Sequence, residues 1–186
     1  MTETRQLSNL RPLTRHITTH NSSGKATIHS SDTLQWQAYD DNQMTFSTIY
    51  TTSTSPPDLT NNADIPAHEK TLSDGLGLVN PNGSVIRCVD LAPGYACIMH
   101  RTKSLDYGIV LEGQVDLVLD SGETRKMERG DVAVQRATMH QWRNSSEENW
   151  ARMVFVLQDC VVDDENGGED LGKGIKGLNP SGKSQF

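Results

Sequence analysis

The strongest constraint on the fold is a series of seven short, apolar-rich runs between residues 83 and 160. Each run is about five to eight residues long, which is the usual length of a β-strand. Val115, Leu117 and Leu119 occupy every second position of one run and therefore share a strand face. Pro-Gly, Ser-Gly and Arg-Gly pairs separate several runs, as is typical of turns. The runs are SVIRCVDL, ACIMH, YGIVLEG, QVDLVLD, DVAVQ, HQWRN and ARMVFVLQ. Short strands without intervening helices predict an all-β fold, an antiparallel barrel or jelly roll.

Residues 1–82 form a polar segment rich in Thr, Ser and Asn. Two stretches within it, KATIHS and MTFSTIYT, alternate in a way that predicts short strands. The stretch IPAHEKTLS predicts one short helix, because Pro66 suits its first turn and Gly75 suits its end. We therefore expect an extended N-terminal arm, with short strands and one helix, packed on a barrel formed by residues 83–160.

The C-terminal segment, residues 161–186, combines high charge with many glycines and few apolar residues. Such a segment buries too little apolar surface to offset its ordering entropy, so we expect a flexible acidic tail. The barrel itself then has only about 80 residues, which is small for an independent core. We expect the arm to extend its sheets, and we expect a homodimer.

Charge and hydropathy exclude several kinds of partner. The net charge is −7 and the pI is about 5.3, whereas nucleic-acid binding requires clustered Lys and Arg. No apolar run approaches the roughly 18 residues that span a bilayer, and the N-terminus lacks the apolar centre of a signal peptide. These features favour a cytoplasmic protein whose partner is a small-molecule substrate, with no nucleic acid and no membrane.

Two segments carry glycine and histidine at regular spacings. The first reads G-YACIM-H-R-T-KSL-D-YGIVLE-G and the second reads G-DVAVQ-R-A-T-M-H-QWR-N. The chain here resembles the cupin superfamily, whose two motifs place Gly, His and Asn at these intervals. The matching positions are Gly94, His100, Gly113, Gly130, His140 and Asn144. The resemblance implies a six-stranded cupin barrel of the jelly-roll type, often with a metal at the barrel mouth.

The departures from the cupin motifs concern the metal ligands. Thr102 stands where the family has its second histidine, and Asp106 stands where it has glutamate. The family's ligand set thus reduces to His100, Asp106 and His140, which resembles a facial triad suited to Fe(II) and also able to hold Zn or Mn. The loss at Thr102 leaves a metal-free site as the alternative. In that case the three residues form an acid–base cluster in a semi-buried pocket.

Strand parity groups these candidates with others. His100 and Thr102 are two residues apart and face the same way in an extended strand, as do His140 and Trp142. We expect Trp142 and Thr102 to line the substrate site, with Trp142 as a flat wall for an aromatic or polyketide-like ligand. Arg136, just before the second histidine, is a further candidate that can clamp a carboxylate or phenolate.

The resemblance becomes more specific in the segment HRTKSLDYGIVLEGQVDLVLDSGETRKMERGDVAVQRATMHQWRN. This segment is similar to small single-domain fungal cupins encoded beside polyketide synthases in secondary-metabolite pathways. The resemblance implies a biosynthetic enzyme, and we expect a lyase: a dehydratase, or alternatively a decarboxylase, acting on a polyketide-like or aromatic carbonyl intermediate. An Fe(II)-dependent oxidoreductase or dioxygenase using the same three residues is one alternative, and a non-catalytic ligand-binding cupin is another. Substrate, reaction type, metal and oligomeric state stay open at this stage.

Overall fold

The computed structural model describes residues 5–163 of the chain. It contains eleven strands, one α-helix and one short 3₁₀ turn. In chain order the elements are β1 (Thr14–His20), β2 (Ala26–Thr33), β3 (Gln37–Tyr39), β4 (Met44–Thr52), the 3₁₀ turn (Thr60–Asn62), α1 (Asp64–Asp74), β5 (Ser84–Leu91), β6 (Ser104–Glu112), β7 (Gln114–Leu119), β8 (Thr124–Glu128), β9 (Val132–Arg136), β10 (His140–Asn144) and β11 (Ala151–Asp159).

The strands form three antiparallel sheets. The largest has six strands in the order β3-β4-β5-β11-β6-β9, a second has the order β10-β7-β8, and β1 pairs with β2 as a separate hairpin. The main apolar core contains side chains from both larger sheets, among them Val89, Val110, Val115, Trp142 and Met153. This arrangement confirms the predicted all-β cupin jelly roll.

The N-terminal arm contributes strands to the largest sheet. β4 pairs with β5 along its length, so Phe46 lies opposite Val89. A buried ion pair holds the arm further: the Arg152 guanidinium donates to both oxygens of Asp90, and its Nη1 donates to the Arg11 carbonyl at 2.7 Å. The cation of Arg152 also lies 4.8 Å from the centre of the Trp36 ring. The arm is thus packed into the same body as the barrel strands.

Local structure follows many of the sequence patterns, but the sequence did not predict β1, β3 or β8, and one predicted strand is absent from the described residues. The predicted helix is confirmed as α1, and six of the seven apolar runs are strands. The prediction was wrong for ACIMH, because residues 96–100 meet β10 only at two isolated bridges. It also missed β8, because TRKME is mostly polar and exposed, with only Met127 buried. A strand with one inward apolar side chain has no alternating pattern to detect.

Two further expectations concern the C-terminal tail and the absence of a membrane-spanning segment. The expected flexible tail lies outside the described residues from position 164 onward. Among residues 5–163, no helix has the length and apolar character needed to cross a bilayer.

Candidate active site

The two motif histidines lie side by side across an isolated antiparallel bridge. The His100 backbone N–H donates to the His140 carbonyl at 2.8 Å, and the His140 N–H donates to the His100 carbonyl at 2.8 Å. Residues opposite each other in such a pair project their side chains to the same face. The imidazole ring centres are accordingly 4.5 Å apart. The two motifs, 40 residues apart in sequence, therefore present one paired-histidine surface.

Hydrogen bonds set the tautomer of both rings. Nδ1 of His100 lies 2.9 Å from the Ile98 carbonyl, and Nδ1 of His140 lies 2.9 Å from the Thr138 carbonyl. A carbonyl oxygen only accepts, so each Nδ1 carries a hydrogen and each neutral ring has a bare Nε2. Burial lowers the pKa of both rings, and the neighbouring His100 lowers the pKa of His140 further, to about 3. Both rings are thus neutral proton acceptors at ordinary pH.

Asp106 is the acidic member of the site and is 4% exposed. Its Oδ2 accepts a hydrogen bond from the Thr102 hydroxyl at 3.0 Å, and Ser104 donates to that same hydroxyl at 2.9 Å. Its Oδ1 has no partner among the described residues. Burial raises the pKa of Asp106 to about 6, although the Thr102 and Ser104 hydroxyls and the Arg87 charge act in the opposite direction. Thr102 is therefore a hydrogen-bond donor to the carboxylate.

One cavity of about 60 Å³ brings these groups together, and we call it the histidine cavity. His100, Thr102, Asp106, His140 and Trp142 all line it, so the structure assembles five of the six residues singled out from the sequence. The remaining walls are mainly apolar and include Phe46, Val89, Leu91, Phe155 and Leu157. A cavity of this size accommodates a reacting group or a few water molecules, but not a whole polyketide-like molecule.

Trp142 forms part of an aromatic wall. Its ring centre lies 5.5 Å from that of His140 and 5.4 Å from that of Phe155. Gly108 keeps this wall close to β6, because a Cβ there would lie 2.9 Å from a Phe155 ring carbon. The ring of Trp142 is 5% exposed and faces the cavity, as strand parity predicted.

The expected three-ligand metal centre does not fit these positions. Within residues 5–163, no group of three or more His, Cys, Asp or Glu side chains is arranged to hold a metal ion. The paired histidines offer two bare Nε2 atoms, whereas one oxygen of the Asp106 carboxylate, Oδ2, accepts a hydrogen bond from Thr102. The candidate ligands His100, Asp106 and His140 thus share a cavity without forming the facial triad that the motif resemblance implies.

The structure separates Arg136 from the other candidates. Arg136 is exposed at the end of β9, opposite Leu105, and it is absent from the cavity lining. Because its strand alternates, with Gln135 facing inward, Arg136 faces solvent. The expected substrate clamp therefore lies outside this cavity.

The arginine that does line the cavity is Arg87 on β5, which the sequence reasoning missed. It is 5% exposed, and its guanidinium lies 5.0 Å from the centre of the Phe46 ring. One signal was available: a single cation inside the apolar run SVIRCVDL is unusual unless its charge has a use. Strand parity assigns Arg87 to one face of β5, but it does not show that this face lines a cavity.

The comparisons with known proteins agree with this architecture. The cupin domain family matches residues 87–157. Phomopsin biosynthesis cluster protein D of Diaporthe leptostromiformis is 46% identical, and the match covers 93% of this chain and 94% of that protein. The cupin-domain-containing oxidoreductase fogC of Aspergillus ruber is 41% identical, with 86% of this chain and 78% of that protein covered. The cupin-domain-containing oxidoreductase virC of Hypocrea virens is 42% identical, with 81% and 78% covered.

These relatives match far more than the motif region, because the aligned lengths include most of the N-terminal arm. The paired histidines and Asp106 come from the motif region and lie on one cavity of the jelly roll. The chain belongs to the cupin family, and its relatives are fungal cupin-domain proteins that include members of secondary-metabolite biosynthesis clusters.

Proposed function

We propose that this chain is an enzyme of fungal secondary metabolism that removes water from a β-hydroxycarbonyl substrate. The observation that carries the proposal is that a buried carboxyl, Asp106, and the paired imidazoles line one small cavity, where burial shifts the pKa values of the acid and the base in opposite directions. Burial raises the pKa of the Asp106 carboxyl to about 6 and lowers the pKa of the His140 imidazole to about 3. Environments that separate two pKa values in this way assign an acid and a base. The names of the relatives support the biosynthetic setting.

The proposed step uses both groups. The bare Nε2 of His140 accepts the proton α to the carbonyl, and the electron pair of that C–H bond forms a C=C bond as the β C–O bond breaks. Asp106 donates its proton to the departing oxygen, which leaves as water. Afterwards His140 is protonated and Asp106 is ionised, so return of one proton from the imidazolium to the carboxylate restores the starting state. The adjacent Nε2 of His100 accepts a hydrogen bond from the substrate.

This assignment requires Asp106 protonated and His140 neutral. Both conditions hold between about pH 3 and about pH 6, the two pKa values that burial produces. The rate should therefore fall as the pH rises through about 6. If Asp106 acted as the base instead, the rate would rise through the same pH, so the profile distinguishes the two roles.

The test is elimination of water from 3-hydroxy-3-phenylpropanoate by the full chain, with cinnamate and α-hydrogen exchange in D₂O followed by NMR. We expect Asp106→Asn and His140→Gln each to lower kcat by at least about 100-fold, the usual minimum contribution of general acid–base catalysis. The control is Asp120→Asn, which removes an exposed carboxylate at the end of β7 and should leave the rate unchanged. Absence of both cinnamate and exchange with this β-hydroxy acid, or full activity of Asp106→Asn, would contradict the proposal.

A second candidate, an oxidoreductase acting in the same cavity, is supported by the names of two relatives. It makes a different prediction: substrate consumption would be matched by O₂ uptake. Elimination conserves the oxidation state of the substrate as a whole, so it needs no O₂. Measurement of O₂ with an electrode during turnover therefore separates the two candidates.

A further inference from the structure

Arg87 is a buried cation, and the Asp106 carboxyl of the histidine cavity is among its electrostatic neighbours. Its side chain is 5% exposed, and its Nη2 donates to the Gly77 carbonyl at 2.8 Å. Its Nε has no hydrogen-bond partner, and no ion pair to Arg87 occurs among the residues the structure describes. The other fully buried arginine, Arg152, binds both oxygens of Asp90. A buried charge is costly unless it is paired, so Arg87 has unused capacity to bind an anion.

Arg87 also stands between two cavities. It lines the histidine cavity and a second cavity of about 640 Å³, and Phe46 lines both as well. We call the second one the arm cavity, because Arg15, Asp32 and Trp36 of the N-terminal arm contribute to its walls. Its volume is in the range of small-molecule sites, whereas the histidine cavity holds only a reacting group.

The other charges of the arm cavity, Arg15 and Asp32, form an ion pair, although the Nε of Arg15 also lacks a hydrogen-bond partner. Arg15 lies 3.3 Å from the Asp32 carboxylate, and its Nη1 donates to the Ile49 carbonyl at 2.8 Å. An anion entering the arm cavity therefore meets its strongest attraction at Arg87, at the wall shared with the histidine cavity. A planar guanidinium whose Nε has no hydrogen-bond partner has a donor left for a carboxylate.

We propose that Arg87 binds the carboxylate of the substrate at the wall shared by the two cavities. Arg87 and Asp106 both line the histidine cavity, and each has one buried polar atom without a hydrogen-bond partner, Nε and Oδ1 respectively. A ligand with an anionic oxygen and a hydroxyl group offers a partner to each. A β-hydroxy acid has this pair of groups. The inference rests on the proposed function, since it names the substrate class of that site as a carboxylic acid, and its test requires no turnover.

The test compares two unreactive probes of the same shape, cinnamate and its neutral amide, cinnamamide. Binding of each to the full chain is measured by isothermal titration calorimetry. We expect cinnamate to bind at least about tenfold more tightly than cinnamamide, as charge-assisted hydrogen bonds to arginine imply. Arg87→Gln should abolish this preference, and Arg87→Lys should retain part of it because the charge remains. The matched control is Arg125→Gln, an exposed arginine on β8 outside both cavities, which should retain the full preference.

Equal affinity of the wild-type chain for the two probes, no binding of cinnamate, or an unchanged preference in Arg87→Gln would overturn the inference. Circular dichroism identifies a variant that fails to fold, and Arg87→Lys, which keeps the charge and most of the volume, then supplies the comparison. A preference that depends on Arg87, together with no elimination of 3-hydroxy-3-phenylpropanoate, would support the carboxylate site and contradict the dehydratase. Elimination of water without any preference for cinnamate over cinnamamide would support the dehydratase and contradict the carboxylate site.

Discussion

Replacement of Asp106 by asparagine should stabilise the fold while it abolishes proton donation. The charged carboxylate is 4% exposed, and Thr102 donates a side-chain hydrogen bond to its Oδ2. Burial raises its pKa from 3.8 to about 6. At about 1.4 kcal/mol for each pH unit, this difference corresponds to about 3 kcal/mol of destabilisation when the group is ionised. Asparagine keeps an acceptor oxygen for Thr102 without a charge.

The sign of the pH dependence follows from proton binding. Between about pH 4 and pH 6 the folded protein keeps the Asp106 proton that the unfolded chain has already lost. The free energy of unfolding contributed by this group therefore falls as the pH rises through that window and is constant above it. Asparagine does not ionise, so its contribution to the free energy of unfolding does not fall with pH. The free energy of unfolding of Asp106→Asn minus that of the wild type should therefore increase by about 2–3 kcal/mol between pH 4 and pH 8.

Urea unfolding of both proteins at several pH values measures this advantage. The difference between the two proteins is the useful quantity, because the buried histidines also change protonation over part of the same range. In the control Asp120→Asn, whose carboxylate is exposed, the difference from wild type should not vary with pH. A pH-independent difference for Asp106→Asn, or one that shrinks as the pH rises, would refute the claim that burial opposes ionisation of this carboxylate.

Two further predictions concern the Asp90–Arg152 ion pair and the Thr102 hydroxyl. Asp90→Asn leaves the cation of Arg152 buried without its partner, so it should lower the free energy of unfolding, measured in urea titrations, by about 3–5 kcal/mol. A decrease below about 1 kcal/mol would contradict the anchoring of the arm by this ion pair. Thr102→Val removes the hydroxyl that favours ionised Asp106, so the descending limb of the pH–rate profile should move to higher pH. Thr102→Ser should leave that limb in place, and an unmoved limb in Thr102→Val would show that the hydroxyl does not control the carboxyl.

The candidate site was predictable in part because strand parity depends only on sequence spacing. A period of two places Asp106, Gly108 and Val110 on one face, and all three are buried, while Tyr107 points outward. The same reasoning put His140 and Trp142 together. Arg136 was chosen for its closeness to the second histidine in sequence, but it lies on the outward face of β9, opposite to the inward Gln135, and outside the cavity lining.

What the sequence by itself determined is the all-β architecture, which follows from local periodicity, while the resemblance of the two motifs to cupins indicated that their histidines share a site. Only the tertiary structure decided that Thr102 donates a hydrogen bond to Asp106, that the histidines are neutral, and that Arg87 joins two cavities. These properties depend on desolvation and on distances between strands far apart in the chain. Such quantities arise when the sheets pack together, and no spacing along the sequence encodes them.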